Sequence, residues 1–257
     1  MIADLCDARH VAATGGAAGD RGADLPATLR IAAGSREPCG SANQGVMPMY
    51  TLYYSPGTAS MAAHLALLEI GAPHELRKVD LEGGEQRGAA YLALNPNGVV
   101  PTLIVDGQPV GEAAALLMLL AERHPDARVA PAPGTPARPV YMQWMLHFAN
   151  TVQPAYRLWF SPKDFADGEA ATTKDLARTR IEQEWERFAA HIAAHGPYVA
   201  GADFSVADIF AMMLMRWSRN MPRPATSWPA LAELVARLKA RPSWRELYAI
   251  EGLTEWA

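Results

Sequence analysis

Cysteine is nearly absent from this chain: there are two, Cys6 and Cys39, and both precede Met49. Everything downstream of Met49 therefore lacks a thiol. That excludes disulfide exchange through a Cys-x-x-Cys site there, and structural zinc held by cysteine. Any sulfur chemistry in that region has to come from a bound ligand. Excess charge of one sign is also missing, since 23 basic and 27 acidic residues leave a formal charge of −4. Nothing electrostatic points to nucleic acid or an anionic membrane as partner. No apolar run reaches the roughly 18 residues that a membrane span needs. The first ten residues carry Asp4, Asp7 and Arg9 with no apolar stretch behind them, unlike a secretory signal. A cytoplasmic protein is the expectation. The seven histidines fall at no metal-ligand spacing, so no metal is expected. No repeat recurs at a solenoid period.

Residues 1–48 also lack Phe, Tyr and Trp, and Gly and Ala dominate them. Such a segment buries too little apolar surface to offset the entropy of ordering its backbone. It reads as a disordered extension or a mis-assigned start, Met47 and Met49 lying just before the first clear strand. From Met49 the pattern is regular. Tyr50–Tyr54 is β-prone and ends at Ser55-Pro56-Gly57. A helical stretch runs to Gly71, and His74–Val79 reads as a second strand. A short helix around Tyr91–Leu94 ends at Asn95-Pro96-Asn97-Gly98. Strands Thr102–Val105 and Gln108–Val110 flank Asp106-Gly107, a strong hairpin signal. Glu112–Arg123 is then helical. The order β-α-β-α-β-β-α implies an α/β domain with a mixed sheet over residues 49–124. A linker is expected at 125–136, in a stretch where His124–Pro139 holds five prolines.

Only helical patterns follow, so 137–257 is expected to be an all-helical domain. Tyr141–Trp159 reads as one long helix kinked at Pro154. Ala170–His195 is amphipathic, and Val206–Trp217 is apolar enough to be the buried central helix. Two shorter helices near Ala230–Ala240 and Ser243–Ala249 close the chain. Trp217 with Met212, Met213 and Met215 reads as core filling, and His64 as packed or solvent-facing. Arg216 and Arg219 suit the negative end of the helix dipole.

Four segments carry the functional signal. In Tyr53-Tyr54-Ser55-Pro56-Gly57-Thr58-Ala59-Ser60, a helix start offers unpaired N–H groups and hydroxyls to an anion such as a thiolate. The same hydroxyls also suit a plain helix cap. In Asn95–Leu103, Pro101 opens a strand straight after a Gly-containing turn, a candidate for a cis peptide that frees the Val100 backbone to pair with a peptide-like ligand. An ordinary turn fits equally. Glu112, in Gly111-Glu112-Ala113, could bind an ammonium group or simply suit the helix dipole. Ser205 and Asp208, three apart before an apolar helix, form a capping box with a structural role.

Together and in this order, these segments resemble the cytosolic glutathione transferase superfamily from Met49 to the C-terminus, and most closely its bacterial, beta-like members. The resemblance implies a thioredoxin-like domain followed by the helical one, and glutathione as co-substrate. It implies conjugation of the glutathione thiol to a hydrophobic electrophile, and a homodimer. It assigns Val100 and Pro101 to the cysteinyl unit, Glu112, Ala113 and Asn97 to the rest of glutathione, and Thr58, then Ser60, then Tyr54, to the sulfur. Tyr156, Trp159 and Phe160 should line the electrophile pocket. Three positions depart from the beta-like pattern: Ala59 in place of cysteine, Ala113 in place of serine, and Gln153 near a usual histidine. A binding protein without turnover, or a glutathione-dependent isomerase, lyase or dehalogenase, are the alternatives. A disulfide reductase is excluded by the missing thiol.

Overall fold

The computed structural model describes residues 50–164 and 169–256; the expected extension 1–48 lies outside them. In β1 (Tyr50–Tyr54), Tyr50, Leu52 and Tyr54 are buried while Thr51 and Tyr53 are half-buried, the two-residue period of a strand with one face on the core. Pro56 and Gly57 break the strand, and α1 (Ser60–Ile70) follows. Gly71 ends it in the left-handed region at φ +72°, its N–H returning to the carbonyls of the last turn. Strand β2 (His74–Lys78) runs parallel to β1. After α2 (Ala89–Leu92), β3 (Thr102–Val105) pairs antiparallel with β1 and with β4 (Gln108–Val110). Asp106 and Gly107 both take positive φ, the hairpin geometry that the Asp-Gly pair announces. The sheet order is β2-β1-β3-β4. Helix α3 (Ala113–Arg123) closes this part.

Helices α4 (Ala137–His147), α5 (Gln153–Phe160), α6 (Ala170–His195), α7 (Val206–Trp217), α8 (Pro229–Lys239) and α9 (Pro242–Glu251) make up the rest. The long helix expected over Tyr141–Trp159 is helical throughout, and where a kink at Pro154 was expected a π-helical segment, Phe148–Val152, lies between α4 and α5. Pro154 has no N–H for the i−4 ladder, so it sits in the first turn of α5, where none is required. The wide π turn takes up the change of register.

Every residue of α7 from Val206 to Arg216 is buried. Helices α1 and α3 both pack on it, so the apolar helix of the second part is also the floor of the first. Asp208 caps it: its carboxylate accepts the Ser205 N–H at 2.8 Å, the Ser205 hydroxyl at 3.1 Å and the Val199 N–H at 2.8 Å. Among the described residues no helix is long and apolar enough to cross a membrane.

Candidate functional site

A cleft of about 990 Å³ lies where the start of α1, the loop before β3 and the start of α3 meet α5 and the end of α7. Thr58 and Ala59 form its wall at α1. The Thr58 hydroxyl lies 2.7 Å from the Ser55 carbonyl and 2.9 Å from the Ser60 hydroxyl. Ser60 Oγ in turn lies 3.0 Å from the Ser55 carbonyl and accepts the Ser55 N–H at 3.1 Å. Two hydroxyl protons thus serve three oxygen–oxygen contacts. Ser60 can hold the Ser55 carbonyl alone, which leaves the Thr58 proton able to turn to a ligand.

Ser60 and Tyr54, the other two residues expected at the sulfur, are placed differently. Ser60 is fully buried, outside the cleft wall, and works as the brace of the Ser55 turn. Tyr54 is also buried and away from the wall. Burial, with the Glu251 charge behind it, holds its phenol above the usual range.

The second wall is the loop ending at Pro101. The Val100–Pro101 peptide is cis, and both residues line the cleft, as does exposed Asn97. Gly98 has φ +60°, and a side chain there would meet the Gln86 carbonyl at 3.1 Å. Three polar side chains that the sequence pattern did not single out brace the loop. Asn95 donates to the Val99 carbonyl at 2.8 Å and accepts the Asn97 N–H at 3.1 Å. The Tyr91 hydroxyl donates to the same Val99 carbonyl at 2.8 Å and meets Thr102 Oγ1 at 2.9 Å. The backbone leading into Val100 is therefore held from behind.

The third wall is Gly111, Glu112 and Ala113. Glu112 takes φ 67° and ψ 111°, a conformation that side-chain-bearing residues adopt only when their surroundings impose it. It is exposed and stands at the start of α3, the helix end with orphan N–H groups and partial positive charge. Ala113 is buried beside it.

The fourth wall comes from the helices: Gln153, Arg157 and Phe160 of α5, Trp217 at the end of α7, and Arg219. Of the three aromatic residues expected here, only Phe160 lines the cleft. Tyr156 is fully buried behind it, stacked on Phe160 at 5.8 Å and bonded to the Trp185 indole. Trp159 lies off the wall, under the Lys174 ammonium at 4.4 Å. Trp217, read from sequence as core filling, is a wall residue; its indole N–H donates to the Gly57 carbonyl at 3.2 Å. Arg219 does serve the end of α7, donating to the Arg216 carbonyl at 3.3 Å, but also pairs with Glu255 at 2.9 Å. Arg216 is buried and donates to the Tyr248 hydroxyl at 2.9 Å. His64 is fully buried and bonded to Glu251. Among the described residues no group of three or more His, Cys, Asp or Glu could hold a metal ion.

The family profile "Glutathione S-transferase, N-terminal domain" matches residues 58–123, and "Glutathione S-transferase, C-terminal domain" matches residues 150–246. A beta-class glutathione S-transferase from Sphingomonas chungbukensis is 30% identical with a TM-score of 0.70, covering 79% of this chain and 100% of that one. A glutathione transferase homolog from Sulfitobacter, solved with bound glutathione, is 27% identical with a TM-score of 0.74, covering 80% and 99%. The maleylacetoacetate isomerase of Dictyostelium discoideum is 28% identical over 197 residues, which are 75% of this chain and 90% of that one. With the mixed sheet, the cis-proline loop and the helical second part in the same order, the chain belongs to the glutathione S-transferase family of enzymes.

Proposed function

We propose that the chain binds glutathione against its α/β walls and joins it through its sulfur to an electrophile held by Phe160 and Trp217. The observation that carries this reading is one cleft lined both by the cis-proline loop with the Glu112 carboxylate and by the aromatic side chains of Phe160 and Trp217. In this reading the Val100 backbone pairs with the cysteinyl unit and Glu112 takes the γ-glutamyl ammonium. The α3 N-terminus at Ala113 offers N–H groups to the γ-glutamyl carboxylate in place of a serine hydroxyl. Asn97 lies at the rim, and Thr58 donates its hydroxyl to the sulfur. The thiolate then attacks the electrophilic carbon, forming a C–S bond while a leaving group departs with the displaced electron pair.

Two guanidinium groups stand on the electrophile wall with Phe160 and Trp217, those of Arg157 and of Arg219, the latter also paired with Glu255. The wall suits a flat electrophile bearing an anionic group better than a purely hydrophobic one. Across a series of aryl halides, kcat/KM should be higher for carboxylated members than for uncharged ones. Arg157→Leu should remove up to about fivefold of that preference, the worth of a partly exposed ion pair. Equal loss on both kinds of substrate would contradict this assignment.

The likeness to an isomerase supports a second reading, in which the same thiolate adds to a double bond and is expelled after rotation. Product analysis separates the two, since only transfer leaves glutathione in the product. The chain is also expected to form a homodimer. Met142 and Leu146, one turn apart on α4, are 41% and 52% exposed and suit such a contact. Sedimentation equilibrium checks it, and a monomer at micromolar concentration would count against it.

A further inference from the structure

The turn that carries Thr58 is held from behind by residues far away in the chain. Gly57 is gripped at both backbone polar groups. Its N–H donates to Glu251 Oε2 at 2.8 Å, and its carbonyl accepts the Trp217 indole N–H at 3.2 Å. Arg216 fills the space beneath: a Cβ at Gly57 would lie 3.0 Å from its Nη1. Glu251, at the end of α9, also meets His64 Nδ1 through Oε1 at 2.8 Å, and both side chains are fully buried. A carboxylate only accepts, so Nδ1 carries the proton there. His64 Nε2 has no hydrogen-bond partner among the described residues.

A buried carboxylate behind an anion-stabilising turn needs a reason. By charge alone it opposes a thiolate nearby and raises the thiol pKa. Around Glu251 and the glycine it holds stand Tyr54 of β1, His64 of α1, Arg216 of α7 and Tyr248 of α9, with the His74 ring of β2 behind His64 at 5.6 Å. Of these, Arg216 is the one fixed positive charge, and it sits under the same glycine. What Glu251 alone supplies is an acceptor for the Gly57 N–H.

We propose that Glu251 is a positioning residue for the glutathione sulfur: through Gly57 it fixes the turn so that the Thr58 hydroxyl meets the thiolate. This rests on the thiolate reading above. The test is a titration of the thiol of bound glutathione in wild type, Glu251→Gln and Glu251→Ala. The Gln variant keeps an acceptor and loses the charge, so its thiol should titrate at or below the wild-type pKa. The Ala variant loses both, and its thiol should titrate about one unit higher. Movement of both variants in the same direction by the same amount would mean that Glu251 acts through charge alone, and overturns the proposal. A wild-type thiol with an unshifted pKa removes the thiolate reading, and this one with it. Should Glu251→Ala fail to fold, Glu251→Asp keeps the charge but draws the acceptor back by one methylene. Its thiol should also titrate higher, and an unmoved value would overturn the proposal.

Discussion

In the Thr58→Val variant, the acidic limb of the kcat–pH profile is expected to move up by about 1–2 units. A hydrogen bond to a charged acceptor contributes about 1.5–3 kcal/mol, and one pKa unit corresponds to about 1.4 kcal/mol. The sign follows from what the hydroxyl stabilises. It favours the thiolate over the thiol, so removing it raises the sulfur pKa. The loss of rate should be largest near neutral pH, where an unassisted thiol of pKa about 8.5 is only a few per cent ionised. Above about pH 9 the variant and wild type should converge, because the thiol then ionises without help. Thr58→Ser should keep the wild-type profile. A Thr58→Val profile superimposable on wild type would move the role elsewhere. Ser60→Ala is expected to act differently, since Ser60 is buried and accepts the Ser55 N–H. Its main effect should be on stability.

The largest stability effect is expected at Asp208. Asp208→Ala removes one half of the capping box of α7 and leaves the buried N–H groups of Val199 and Ser205 without their acceptor. A lost cap costs about 1 kcal/mol, and each buried unpaired donor about 1–3 kcal/mol. The sum, about 3–7 kcal/mol, is a large fraction of a typical domain's stability and should lower Tm by about 6 °C or more. The consequence reaches the cleft, because α1 and α3 both rest on α7. Asp208 also confers a pH dependence. Burial pushes its carboxyl up to about 7, against the hydrogen bonds from Val199 and Ser205 that pull it down. Its folded-state pKa thus lies above the unfolded value of about 3.9. The folded chain binds the extra proton between these values, so stability from this site falls as pH rises from about 4 to 7. Asp208→Asn should abolish that slope in urea titrations; an unchanged slope would assign it to another group.

Much of the fold could be read from local chemistry. The hairpin at Asp106-Gly107 and the stop at Gly71 follow from backbone conformations that few residues adopt, so their positions are sharp. The capping box is similarly local, its three-residue spacing setting the geometry. The π segment Phe148–Val152 was not legible, because Pro154 reports that the ladder breaks but not how. The site divides the same way. The cleft residues on turns and helix starts, Thr58, Val100, Pro101 and Glu112, carry their signal in adjacent breakers. The helical wall has no such marker: Tyr156 and Phe160 lie one turn apart, yet only Phe160 reaches the cleft. Trp217 looked like core because its neighbours in α7 are core. Glu251 had no signal at all, since its meaning depends on Gly57, 194 residues away.

The cleft is proposed to bind glutathione and ionise its thiol. The most direct measurement is a pH titration of the ultraviolet thiolate absorbance of glutathione bound to the full chain. A thiolate signal is expected at neutral pH, with the bound thiol titrating about 1–2 units below the free value near 8.5. A bound thiol that titrates like free glutathione, or no binding at all, would contradict it.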